Sequence, residues 1–127
     1  MRKIMAITML LVTLLASTCF AADWYWLVST DTTSFYVDKN SGQWNGLHLN
    51  CSEKIIFDDG NYALYDITYD YSDSHRIKRR QNFIWVYNAD GSYIGSDRGY
   101  EWTIIPPESV GEEIAHKVFF LFKSRIK

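Results

Sequence analysis

The chain has 127 residues, 47% hydrophobic and 17% aromatic, with 13 Lys and Arg against 15 Asp and Glu for a net charge of −2. That length holds one domain with one core, not two. The mildly acidic balance argues against general nucleic-acid binding, which favours a basic field over the whole surface.

Arg2 and Lys3 precede an apolar run from Ile4 to Ala16, and Cys19-Phe20-Ala21 ends it with small residues at the −3 and −1 positions of a cleavage site. This pattern predicts a signal peptide over residues 1–21 and an exported product, placed in the periplasm, on the outer surface or outside the cell. The run is about 13 residues long, short of the roughly 20 that span a bilayer, so no transmembrane segment is expected in the product. Acylation at Cys19 is the competing reading, but Ala16-Ser17-Thr18 is a poor approach to such a site. Cleavage after Ala21 leaves 11 basic residues against 15 acidic ones, a net charge of −4, and Cys51 as the one thiol. No internal disulfide can then form, and stability must come from packing.

From Trp24 the pattern has a period near two. Residues 24–29 read as a strand with Trp24, Trp26 and Val28 on one face, and residues 34–38 as a second, paired to it in a hairpin. In the third strand, 47–57, Leu47, Leu49, Cys51, Glu53, Ile55 and Phe57 share one face, which makes Cys51 a packed thiol. Asp58-Asp59-Gly60-Asn61 is a hairpin signal. The fourth strand, 62–71, sets Ala63, Tyr65, Ile67, Tyr69 and Tyr71 against Tyr62, Leu64, Asp66, Thr68 and Asp70. A fifth strand over 76–87 and a short sixth near 92–95 complete an antiparallel meander.

After Trp102, the Ile104-Ile105-Pro106-Pro107 run leads to a helix start. Ser109 and Glu112 fit a capping box, with the Glu112 carboxylate reaching back to the cap amide. Val110, Ile114, Val118, Leu121 and Phe122 make one apolar stripe that needs a sheet to cover. The expected class is therefore α+β: a single antiparallel sheet of about six strands with one C-terminal helix packed on it.

Chemistry-bearing residues are sparse. His48, His75 and His116 fall on a strand, a turn and a helix without metal-ligand spacing, and exposed, unpaired histidines are expected. No Gly-x-Ser-x-Gly elbow or Cys and His arrangement suggests a nucleophile. The acids Asp66, Asp70 and Asp73 lack EF-hand spacing and read as a solvated face. Neither an enzyme, nor a metal site, nor a cofactor is implied. Arg76, Lys78 and Arg80 project to one face of the fifth strand, with Arg79 on the other. Such a cluster in an acidic protein suits an anionic partner, since guanidinium groups bind oxyanions bidentately. As a plain charged face it would instead discourage edge pairing.

The two ends of the chain resemble the surface-adhesin E family of small exported bacterial proteins. Near the start the resemblance rests on Ala22-Asp23-Trp24-Tyr25-Trp26 and Ser34-Phe35-Tyr36-Val37-Asp38. Near the end it rests on Tyr87-Asn88-Ala89-Asp90-Gly91, Trp102 and Ile105-Pro106-Pro107-Glu108-Ser109-Val110-Gly111-Glu112. It implies an antiparallel sheet with a packed C-terminal helix, and attachment to extracellular matrix or host-surface protein or glycan. Cysteines that many relatives carry in the fourth strand and at the C-terminal end are absent, with Asp66 or Ile67 and residues 123–127 in their places. Ser109, Gly111 and Trp102 have structural explanations as cap, close-packing residue and core cover.

The sequence thus predicts an exported, non-enzymatic binding module for a protein or anionic glycan. Arg76, Lys78, Arg80, Tyr69 and Tyr71 are its candidate partner contacts, on exposed strand and loop surfaces. The alternatives are an envelope structural or protein-interaction protein and a small-ligand carrier, haem included, with aromatic walls. Oligomeric state is left open.

Overall fold

Gly60 and Gly91 mark two reversals of the chain, each with a positive φ, at 88° and 90°. Only glycine enters that region without steric cost. The Gly60 amide donates to the Phe57 carbonyl and that of Gly91 to Asn88, both at 2.9 Å, closing the hairpins on either side of the longest strands.

The computed structural model describes residues 22–126, so the expected signal peptide and Cys19 lie outside the described residues. Eight strands run in the order β1 (Trp24–Ser29), β2 (Thr33–Asp38), β3 (Gln43–Asn45), β4 (His48–Phe57), β5 (Tyr62–Asp70), β6 (Lys78–Tyr87), β7 (Tyr93–Arg98) and β8 (Thr103–Ile104). Helix α1 (Val110–Phe122) and a 3-10 turn (Lys123–Arg125) follow. One antiparallel sheet has the path β1-β2-β4-β5-β6-β7, with β3 added on β4 and β8 on β6. The class is α+β, as the alternation predicts; β3 and β8 are the additions, both too short to carry a periodicity of their own.

The alternation of β4 holds over its first half, with Leu49, Cys51 and Glu53 buried on the face that α1 covers, and fades beyond it, where Ile55 is half-buried and Phe57 exposed. Opposite Leu49, Cys51 and Glu53, in register, stand Tyr69, Ile67 and Tyr65 of β5. Leu27, Val37, Tyr71, Ile77 and Ile105 extend this core, and Ile114, Ala115, Val118 and Phe122 fill it from the helix. Full burial of a side chain such as Val118 or Phe122 contributes about 1.5–3 kcal/mol. Three long-range bonds fix the helix to the sheet. Tyr71 Oη donates to Ala115 O at 2.7 Å, Trp44 Nε1 to Phe122 O at 2.9 Å, and Lys117 Nζ to Leu27 O at 2.7 Å. A Cβ on Gly42 would overlap the Phe122 ring, so the glycine makes room for the helix end.

Several local expectations are corrected. A bulge between Trp26 and Val28 inserts Leu27 into the core, 1% exposed, and leaves Trp26 53% exposed, so Trp24, Trp26 and Val28 do not share a face. Leu47 lies in the turn before β4 and Val110 at the helix start, both exposed. Ser109 Oγ accepts from the Glu112 amide at 3.1 Å, but the Glu112 carboxylate accepts from Glu108 N, one residue earlier than a reciprocal box requires. Trp102 covers no core: it lies 37% exposed on the far side of the sheet.

Candidate partner-binding face

The five residues singled out from the sequence separate into three environments. Tyr69 and Tyr71, at 1% and 9% exposure, sit in the core between the sheet and α1 and offer no surface to a partner. Their phenols are consumed internally, by the Glu53 carboxylate and the Ala115 carbonyl. The reason lies in the pairing of β5 with β4, which turns the face carrying Ile67, Tyr69 and Cys51 toward the helix. Arg76 precedes β6 in an exposed turn rather than on the strand, its amide held by Asp73 O at 3.1 Å. Lys78 and Arg80 stand on β6 opposite Asp70 and Thr68, on the face away from α1.

That outer face is built from two unlike halves. Around Arg80 lies a polar network: its Nε donates to Asn82 Oδ1 at 2.7 Å, and Asn82 Nδ2 donates to Thr68 Oγ1 at 2.8 Å. Asn50 Nδ2 reaches Asp66 Oδ1 at 2.6 Å. The Trp102 ring roofs this corner, 4.8 Å from the Arg80 guanidinium and 5.3 Å from the His48 ring. His48 is paired with Asp70 at 3.4 Å, contrary to the expectation of unpaired histidines. The Asp70 carboxyl is held below its usual range, first by the Ser72 hydroxyl and more weakly by His48.

The second half is aromatic. Phe83 and Trp85 stack at 4.5 Å, Tyr62 and Tyr87 at 5.1 Å, and Tyr93 meets Tyr87 edge-on at 5.7 Å. Lys54 Nζ lies 4.8 Å from the Tyr62 ring and 5.7 Å from that of Trp24, and the Arg98 guanidinium 5.6 Å from Phe83. Among the described residues, Lys54, Lys78, Arg80 and Arg98 have no ion-pair partner. The acids of the same face are engaged locally, Asp66 by Asn50 and Asp70 by Ser72 and His48. Cations resting on ring faces keep their charge available to a partner.

Sequence reasoning missed this aromatic half for one reason. Strict alternation along β6 puts Phe83, Trp85 and Tyr87 opposite Lys78 and Arg80. A bulge at Asn82 adds one residue, since Phe83 pairs with Asp66 while Gln81 pairs with Ile67. The rings therefore swing onto the same face as the basic residues, as a one-residue slip must do. Nothing in the sequence around Asn82 announces the bulge.

On the covered face, Glu53 is buried with Tyr69, Cys51 and Arg79 around it. Burial pushes its carboxyl up from the usual range, opposed by the Tyr69 hydroxyl and the Arg79 charge. Burial also raises the Cys51 thiol well above its ordinary value, so the neutral thiol persists, a poor nucleophile. Among the described residues, no group of three or more His, Cys, Asp or Glu converges as a metal site. No helix among them is long and apolar enough to cross a membrane.

No protein-family model, curated protein or solved structure matches the chain.

Proposed function

We propose that the protein is an exported recognition module that attaches to an anionic glycan through the outer face of its sheet, without chemistry on the bound chain. The observation that carries this reading is the coincidence, on one face, of stacked rings with four cations that no carboxylate among the described residues pairs with. Aromatic faces suit the flat sides of sugar rings, and guanidinium and ammonium groups suit sulfate and carboxylate substituents. The resemblance of the two chain ends to the surface-adhesin E family supports the same direction, attachment to matrix or host-surface material. The signal pattern of residues 1–21 supports export.

Retention on immobilised heparin tests the reading. Replacing Lys54, Arg80 and Arg98 together with Ser, on exposed or half-buried positions, is expected to lower the eluting salt and weaken affinity at least tenfold. Replacing Arg76 with Ser, off the strand, is expected to have a smaller effect. Equal retention of the triple variant and the parent protein contradicts the proposal, and retention only on acidic proteins transfers the face to a protein partner.

A further inference from the structure

The two strands that flank β6 on its outer edge leave a gap. β7 pairs with residues 83–87 and β8 with Lys78 and Arg79, while between them a single backbone bond, Gly99 N to Asn82 O at 3.3 Å, crosses. The linking segment is pressed close there, since a Cβ on Gly99 would overlap the Gln81 carbonyl oxygen. Beside the gap, on the face that β6 shares with Tyr69, opens a cleft of about 520 Å³ lined by Arg79, Gln81, Gly99, Tyr100, Glu101 and Thr103. Such a volume falls within the range of small-molecule sites, roughly 300–1,000 Å³.

Arg79 is the anomaly of this cleft. Its Nε is buried and has no hydrogen-bond partner, the one such side-chain atom found among the described residues. Nor does any carboxylate among them lie within ion-pair distance of its guanidinium. A buried donor without an acceptor costs stability, and native structures rarely leave one without a reason. Glu53 acts on Arg79 through its field, yet it spends its own hydrogen bond on Tyr69.

We propose that Arg79 anchors a binding site for a small organic monocarboxylate, seated in the cleft between β6 and the segment joining β7 to β8. A carboxylate accepts two parallel N–H bonds from a guanidinium, here from its terminal Nη groups, with the orphaned Nε lying beneath them. Among the described residues Arg79 is the sole cation lining the cleft, and Glu101 lines it too, so a single negative charge matches the site better than a phosphate dianion. The side chains of Gln81 and Thr103 supply neutral hydrogen-bonding groups, and the exposed ring of Tyr100 supplies a wall for an apolar body. The site lies across the sheet from Arg80 and Trp102 and stands independently of the glycan proposal.

Titration of the isotope-labelled protein with benzoate, followed by amide shifts, tests the site, with benzyl alcohol and inorganic phosphate as the neutral and dianionic comparisons. Saturable shifts centred on Gln81, Gly99, Tyr100 and Thr103 are expected with benzoate, with at least tenfold weaker response to the other two. Arg79→Gln is expected to abolish them, whereas Arg125→Gln, which removes the same charge at the chain end, leaves them unchanged. If Arg79→Gln does not fold, the parent protein still decides through the location of its shifts. Absence of saturation, shifts centred elsewhere, tighter binding of phosphate, or survival of the shifts in a folded Arg79→Gln protein overturns the assignment. Heparin retention is read separately, so failure here leaves the outer face untouched.

Discussion

Glu53 is the least comfortable residue of the core, a carboxyl 3% exposed with, among the described residues, only the hydroxyl of Tyr69 and the thiol of Cys51 as hydrogen-bonding neighbours. The charged groups facing it resolve to Arg79, while Tyr69, Tyr65 and Cys51 are kept neutral by burial. Its pKa in the fold lies above the ordinary 4.5. Below that value both the folded and unfolded chains hold the proton, and the carboxyl costs the fold nothing. As pH rises toward and through the folded value, the unfolded chain ionises first and gains, so stability is lost. Asp70, with its pKa lowered from 3.8, acts oppositely, losing its contribution only as pH falls below that value. Urea midpoints of the parent protein are therefore expected to fall between pH 4.5 and 8 relative to Glu53→Gln, whose amide can still bond Tyr69. Parallel curves for the two proteins would show that Glu53 ionises in the fold as it does in water.

Helix α1 packs on one face of the sheet and is the only α-helix among the described residues to do so. Ser109 starts it by two bonds at once, accepting from the Glu112 amide at 3.1 Å and donating to Pro106 O at 2.6 Å. Ser109→Ala is expected to lower stability by about 0.5–2 kcal/mol, the usual cost of losing a helix cap. A calorimetric loss near zero would mean that the packed stripe alone holds the helix start. The helix itself was legible: Ile114, Val118 and Phe122 recur at helical spacing and all are buried. The strands were legible wherever alternation was undisturbed, as in Leu49, Cys51 and Glu53. Legibility failed at the bulges of β1 and β6. Leu27 and Asn82 each add a residue, and from each point onward the faces are exchanged, which a period-two reading cannot detect. That failure hid the aromatic half of the outer face, while Tyr69 and Tyr71 misled because tyrosine serves equally as a surface contact and as a buried ring with a bonded hydroxyl.

For the molecule as a whole, the decisive asymmetry is between the two sides of one sheet. One side is packed against α1 around a core from Leu27 to Phe122, and the other carries rings and cations without ion-pair partners, with no helix among the described residues over it. The tryptophan indoles sample both sides. Trp85 and Trp102 belong to the outer face, whereas the Trp44 indole N–H is bonded to Phe122 O at 2.9 Å beside the helix end. Titration with a heparin-derived oligosaccharide, followed by the indole N–H resonances, therefore reads out which side meets the partner. Saturable shifts are expected for Trp85 and Trp102 with Trp44 fixed; movement of Trp44 alone, or of no indole up to saturating ligand, would place the partner elsewhere than on the outer face.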